Sequence, residues 1–228
     1  MPFQAVIFDL FGTLIDERAE EYAVLMHTMA LLLGVTDDAL CAASAGDAPL
    51  RDQGIYRSVG HQFDVLCMKL GVSPAPDHVA AAIEEYSQMQ HRRLVPRDGV
   101  LETLAAIGGQ GLKRGLISNA SQVIVDLWPE TGFPPYFDDT LFSCAVNIAK
   151  PDPAIYLLAC NHLGVSPADC LYVGEGGSNE LTGAANVGMT AVLLVPKHDD
   201  PTVLGAKRQA WDGQHITSIP EVLDLLDA

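Results

Sequence analysis

The sequence predicts an α/β fold, a doubly wound parallel sheet carrying a helical insertion. Three observations predict it. Short apolar runs rich in β-branched and aromatic residues alternate with stretches of helical periodicity. Those runs end abruptly in polar residues, glycine or proline, as buried parallel strands do where they enter loops. One long stretch, residues 16–95, shows helical periodicity and no strand.

The first strand is Ala5-Val6-Ile7-Phe8, which stops at Asp9 and meets Gly12-Thr13. Within the insertion, helical spacing runs from Glu20 to Leu33, from Ile55 to Leu70 and from His78 to Leu94. Gly34, Pro49, Gly71, Pro74, Pro76 and Pro96 punctuate it. Alternation then resumes with a helix from Val100 to Ile107, the strand Gly115-Leu116-Ile117 and a helix from Ser121 to Trp128. A helix from Pro153 to Leu163 precedes the strand Cys170-Leu171-Tyr172-Val173. The helix Asn179–Val187 is expected to start on Ser178 as its N-cap and to stop at Gly188. The strand Ala191–Val195 follows, and residues 216–228 read as a last short strand and helix. The predicted domains are therefore a core of residues 1–15 and 96–228 and a helical segment of residues 16–95.

Composition narrows the function. At 228 residues and 49% apolar content the chain can bury a large core. Its formal net charge is −16, so nucleic acid and anionic membranes are poor partners. An anionic substrate needs a local positive group or a bound cation. The five cysteines include no C-x-x-C pair, which points to reduced thiols in a cytoplasmic protein. The start of the chain lacks a basic segment, and no apolar run reaches membrane-spanning length.

Ligands of parallel α/β sheets bind beyond the carboxyl ends of the strands. Three such ends carry polar groups: Asp9, Ser118-Asn119 and Glu175, with Lys150 on a loop able to face the same crevice. A carboxylate is already ionised and can attack phosphorus or carbon to form an acyl intermediate that water hydrolyses. Lys150 and a divalent cation can neutralise the electrophile, and the Ser118 hydroxyl can hold one of its oxygens. Mg²⁺ prefers oxygen ligands such as Asp9 and Glu175. Gly174, Gly176 and Gly177 suit a turn that clears room for the site.

These residues resemble the haloacid dehalogenase superfamily of hydrolases. The resemblance runs through Val6-Ile7-Phe8-Asp9-Leu10-Phe11-Gly12-Thr13, Gly115-Leu116-Ile117-Ser118-Asn119, Lys150-Pro151-Asp152-Pro153, and Val173-Gly174-Glu175 through Glu180. It implies a Rossmann-like core with a mobile helical cap hinged at residues 12–16 and 95–99. It also implies Asp9 as nucleophile, Ser118, Asn119 and Lys150 as its catalytic companions, and Phe11, Gly12 and Thr13 beside a small anionic substrate. Mg²⁺ would be held by Asp9, the Phe11 carbonyl, Glu175 and Glu180.

Three positions depart from the family pattern. Phosphatases of the family carry a proton-donating acid where this chain has Phe11, so esters with good leaving groups are expected. Glu175 and Glu180 stand where the family usually has Asp, each with ~1.5 Å more reach. An aromatic at 11, Asn119 and Tyr156 match the 2-haloacid dehalogenase branch, where a cap arginine, here Arg51 or Arg57, grips the substrate. The acids at 175 and 180 favour a Mg²⁺-dependent phosphatase. A phosphonate hydrolase would need a cap amine, for which only Lys69 is present, and a non-catalytic binding protein is a further alternative.

Overall fold

In the computed structural model, residues 3–16, 19–196 and 210–226 are described. Six strands form one parallel sheet: β1 (Ala5–Phe8), β2 (Lys113–Ser118), β3 (Asp139–Phe142), β4 (Cys170–Gly174), β5 (Thr190–Leu194) and β6 (His215–Ile216). Their order, β3-β2-β1-β4-β5-β6, is that of a Rossmann-like sheet. The chain runs outward from β1 toward β3, then returns to the other side of β1 as β4. The switch point between β1 and β4 opens a crevice at their carboxyl ends. Phe8 pairs with Leu116 on one side and Val173 on the other, so Asp9 leaves the sheet at its centre.

Side chains alternate across the sheet. Val6 and Phe8 of β1, with Leu171 and Val173 of β4, pack on one face with α5 (Val100–Gly109) and the C-terminal helix Val222–Leu226. Ala5, Ile7, Cys170 and Tyr172 pack on the other, under α8 (Pro153–Leu163) and α9 (Glu180–Asn186), which follow the short helices α6 (Gln122–Leu127) and α7 (Ser143–Val146). Burial on both faces explains why these strands read as unbroken apolar runs.

Four helices intervene between β1 and α5: α1 (Ala19–Leu33), α2 (Asp37–Asp52), α3 (Val59–Leu70) and α4 (Pro76–Arg93). Thr36 and Ser58 cap α2 and α3 through bonds from Ala39 N and His61 N. The two chain crossings meet where Ile15 bridges Pro96 and Arg97 N donates to the Leu14 carbonyl. No single helix among the described residues is long and apolar enough to cross a membrane.

Three local expectations are corrected. Helix α2 carries no clear apolar stripe because most of its apolar positions are small alanines, and it contains Gly46 and Pro49; Pro49 lies inside the helix rather than ending it. Strand β3 is short, terminal in the sheet at that side, and follows Pro134-Pro135. Ser178 does not cap α9: Ser178 and Asn179 both take left-handed backbone conformations, φ 53° and 52°, and the helix begins at Glu180. Such conformations cost about 1–2 kcal/mol per residue, and here the turn drops Glu180 beneath the crevice.

Candidate active site

At the carboxyl edge of the sheet, Lys150 Nζ sits between two carboxylates, 2.5 Å from Asp9 Oδ1 and 2.5 Å from Glu180 Oε2. All three side chains are buried. Burial alone would lower the Lys150 ammonium; the Asp9 and Glu180 charges outweigh it and keep the group protonated. Thr13 Oγ1 donates to Asp9 Oδ2 at 2.8 Å, so both Asp9 oxygens are aimed. Thr13 and Gly12 lie under Asp9 rather than in the cavity. Gly12, at φ 75°, makes the turn that returns its carbonyl to Arg97.

Glu180 is held by three donors. Oε2 accepts from Lys150 and from Tyr172 OH at 2.8 Å, and Oε1 accepts from Gly176 N at 2.9 Å. The extra methylene explains the glycine beside it, since a Cβ on Gly174 would lie 2.3 Å from Glu180 Oε1. Glu175 curls back to accept from Gly177 N at 2.8 Å. Burial, then repulsion from Asp9 and Glu180, pushes the Glu175 carboxyl up to about 8.

Asn119 acts on the backbone of the lysine loop. Its Oδ1 accepts from Lys150 N at 2.8 Å and its Nδ2 donates to the Lys150 carbonyl at 3.1 Å. Ser118 ends β2 with its hydroxyl buried and without a hydrogen-bond partner among the described residues. Tyr156 does not face the cavity. Its ring is buried beneath α9 and its hydroxyl donates to the Glu180 carbonyl at 3.0 Å.

A cavity of about 560 Å³ opens at this edge of the sheet; Asn119 lines it, whereas Ser118 is fully buried just beside it and does not. Its floor includes Asp9, Phe11, Lys150, Glu175 and Glu180; its opposite wall includes Tyr22, Arg51, Asp52, Tyr86 and Arg93. Arg51 is thus in the cavity, whereas Arg57 is exposed and outside it. Lys69 is also outside, paired with Asp47 within the inserted helices. Arg93, at the end of α4, lies 4.8 Å from the Phe11 ring centroid. Sequence reasoning also passed over Asp52 and Tyr172. A tyrosine in a fully buried strand needs a partner for its hydroxyl, which was the available signal for Tyr172.

The fit to a cation can be tested on the floor itself. Oxygens of Asp9, Glu175 and Glu180 lie within 4.8 Å of one another, and three carboxylates face the single charge of Lys150. Mg²⁺ binds oxygens at about 2.0–2.1 Å, so ligands on opposite sides are about 4 Å apart. The donor set suits a small divalent cation, with Glu180 already engaged by Lys150.

The fold is a Rossmann-like parallel sheet, and the candidate site lies at its carboxyl edge. The chain belongs to the haloacid dehalogenase-like hydrolases, whose family model matches residues 3–188. The phosphoglycolate phosphatase of Thiobacillus denitrificans is 32% identical over 201 residues, 86% of this chain and 84% of that protein. The glyceraldehyde 3-phosphate phosphatase of Methanopyrus kandleri is 30% identical over 149 residues, 60% of this chain and 63% of its own length, so the match spans less than two thirds of that relative. Among solved structures, the 2-haloacid dehalogenase of Pseudomonas syringae pv. tomato aligns with a TM-score of 0.73 at 22% identity, covering 99% of this chain and 98% of that one.

Proposed function

We propose that the protein is a Mg²⁺-dependent phosphatase of a small phosphorylated metabolite, working through a covalent Asp9 intermediate. The observation that carries this reading is the acidic trio within 4.8 Å around Lys150, which suits a divalent cation and a phosphoryl group. The phosphatase names of the two curated relatives support it.

In this reading Asp9, aimed by Thr13, attacks phosphorus, and Lys150 balances charge on the attacking carboxylate. Ser118 offers its unpartnered hydroxyl to a phosphoryl oxygen. Asp9, Glu175 and the Phe11 carbonyl would hold Mg²⁺, which when bound supplies positive charge to the transferring group. Glu180, Tyr172 and Asn119 keep Lys150 in place. Residues 16–95 act as a cap hinged beside the Ile15–Pro96 bridge, and Arg51 and Arg93 draw in the anion. The acidic chain and its five free thiols support a cytoplasmic protein acting on a small molecule, not on nucleic acid or membrane.

Dehalogenation of a 2-haloacid is the second reading, favoured by the Arg93–Phe11 pair beside the nucleophile. The decisive experiment compares phosphate release from p-nitrophenyl phosphate, with and without Mg²⁺, against chloride release from 2-chloropropionate. Phosphate release that EDTA abolishes is expected. Chloride release indifferent to EDTA would replace the phosphatase reading with the dehalogenase one.

A further inference from the structure

We propose that Asp52, supplied by the inserted helices, is the general acid that protonates the leaving oxygen, and that the substrate is therefore an unactivated alkyl phosphate. The assignment rests on the phosphatase reading and deepens it, and it reverses the expectation of good leaving groups drawn from Phe11.

The argument begins with direction. Displacement at phosphorus keeps the attacking and leaving oxygens roughly in line. Asp9 attacks from the sheet edge, so the leaving oxygen points across the cavity to the wall built by α1, α2 and α4. That wall offers Tyr22, Arg51, Asp52, Tyr86, Gln90 and Arg93. Guanidinium and amide groups do not give up protons near neutrality. Phenols ordinarily titrate near 10, and burial raises Tyr22 further. Asp52 is the one carboxyl on this wall among the described residues.

The other carboxyls of the cavity are Asp9, Glu175 and Glu180, all on the nucleophile's side. Phe11 contributes a ring under Arg93 and no proton.

The surroundings of Asp52 also shift its carboxyl toward the protonated form. It is the last residue of α2, a helix of 16 residues, where the helix dipole disfavours negative charge. Its side chain is about three-quarters covered, at 24% exposure, and burial raises its carboxyl against the opposing pull of Arg51 and Lys150. Arg51 Nε is 3.9 Å away, near enough to orient the group without a short bond.

The steps balance. An Asp9 oxygen attacks phosphorus and the ester P–O bond breaks. Its electron pair stays on the ester oxygen, which takes the Asp52 proton and leaves as the alcohol. Water then attacks phosphorus of the aspartyl phosphate. The Asp52 carboxylate takes a proton from that water, phosphate departs, and both carboxyl groups return to their starting states.

The test measures kcat/KM of the full chain with Mg²⁺ on glycerol 2-phosphate and on p-nitrophenyl phosphate. Asp52→Asn is expected to lose about 10²-fold or more on the alkyl ester and only ~3-fold or less on the aryl ester, whose leaving group needs no proton. Asp52→Glu should recover part of the alkyl rate. Equal losses on the two esters, or an unimpaired alkyl rate in Asp52→Asn, would overturn the assignment. A second measurement needs no variant: in the wild type, kcat/KM across a series of phosphate esters should fall only shallowly as the leaving alcohol becomes more basic. A steep fall would overturn the assignment however the variants behave. Wild-type protein inactive on every ester would instead remove the phosphatase reading, and this assignment with it.

Discussion

The two walls of the cavity are built by different physics. On the sheet side, Asp9, Lys150 and Glu180 are buried, and each charge is gripped by several partners. On the helical side, Arg51 and Asp52 are each 24% exposed, and their contact is a loose 3.9 Å. A buried, fully bonded cluster holds one geometry because any rearrangement strands a charge in low dielectric. A partly exposed, loosely bonded pair can exchange protein contacts for water at little cost. The sheet side is therefore suited to holding the nucleophile in one geometry, and the helical side to binding, to exchanging a proton with the leaving oxygen and to release.

The largest effect that tests this contrast is at Asp9. Asp9→Asn should reduce turnover to background while leaving the melting temperature nearly unchanged, since an amide of similar shape is a poor nucleophile. Substantial residual activity in the purified variant would remove Asp9 from the nucleophile role.

Lys150→Met attacks the cluster's stability. It leaves Asp9 and Glu180 buried without their cation, so a cost of roughly 3–5 kcal/mol is expected in denaturant unfolding at neutral pH. A variant as stable as the wild type would show the sheet side to be less tightly coupled than its geometry indicates.

Gly174→Ala sharpens the same point by sterics alone. Its Cβ would meet Glu180 Oε1 at 2.3 Å, displacing the carboxylate that anchors Lys150. Destabilisation of about 1–3 kcal/mol, with a clear fall in kcat, is expected. Normal kinetics in Gly174→Ala would mean that Glu180 need not sit where it does.

Across the cavity, Arg93→Met should act mainly on binding. Loss of a partly exposed cation beside Phe11 is worth about 1 kcal/mol, roughly a fivefold rise in KM for an anionic ester, with kcat little changed. A fall in kcat larger than the rise in KM would place Arg93 in the chemistry.

The smallest effect lies away from both walls. Asp138 accepts from Arg114 N at 2.8 Å and from its Nε at 3.2 Å. Burial would raise this carboxyl, but the bonds and charge of Arg114 outweigh burial and bring it below the usual aspartate value. A folded-state value below the unfolded one stabilises at pH above about 4, and that gain is lost as pH falls. Asp138→Asn should therefore cost about 1 kcal/mol or less at pH 7. The gap between variant and wild type should close under acid; a gap that widens there would contradict the sign.

Legibility followed the range of the interactions. Asp9, Ser118 and Glu175 could be found because each ends a short apolar strand, a pattern held within a few neighbouring residues. Asn119 lines the cavity and Tyr156 does not, and the work of neither was legible, since both act through partners distant in sequence: the Lys150 backbone and the Glu180 carbonyl. Arg93 and Asp52 end polar helices and look like ordinary surface charges until α2 and α4 are packed over the sheet. Cys160 and Cys170, unremarkable in spacing, are brought to 3.7 Å as free thiols by the packing of α8 on β4.

By itself the sequence determined the alternation of strands and helices, the place of the insertion and the strand ends that carry polar groups. Periodicity and chain punctuation are local, and burial on both sheet faces writes them directly into residue type. Only the tertiary structure decided which charges meet. It put Lys150 between Asp9 and Glu180, spent Glu180 on holding that lysine, and set Asp52 across the cavity from the nucleophile. Electrostatic partners are chosen by distance in space and by the removal of water, and neither quantity exists along an unfolded chain.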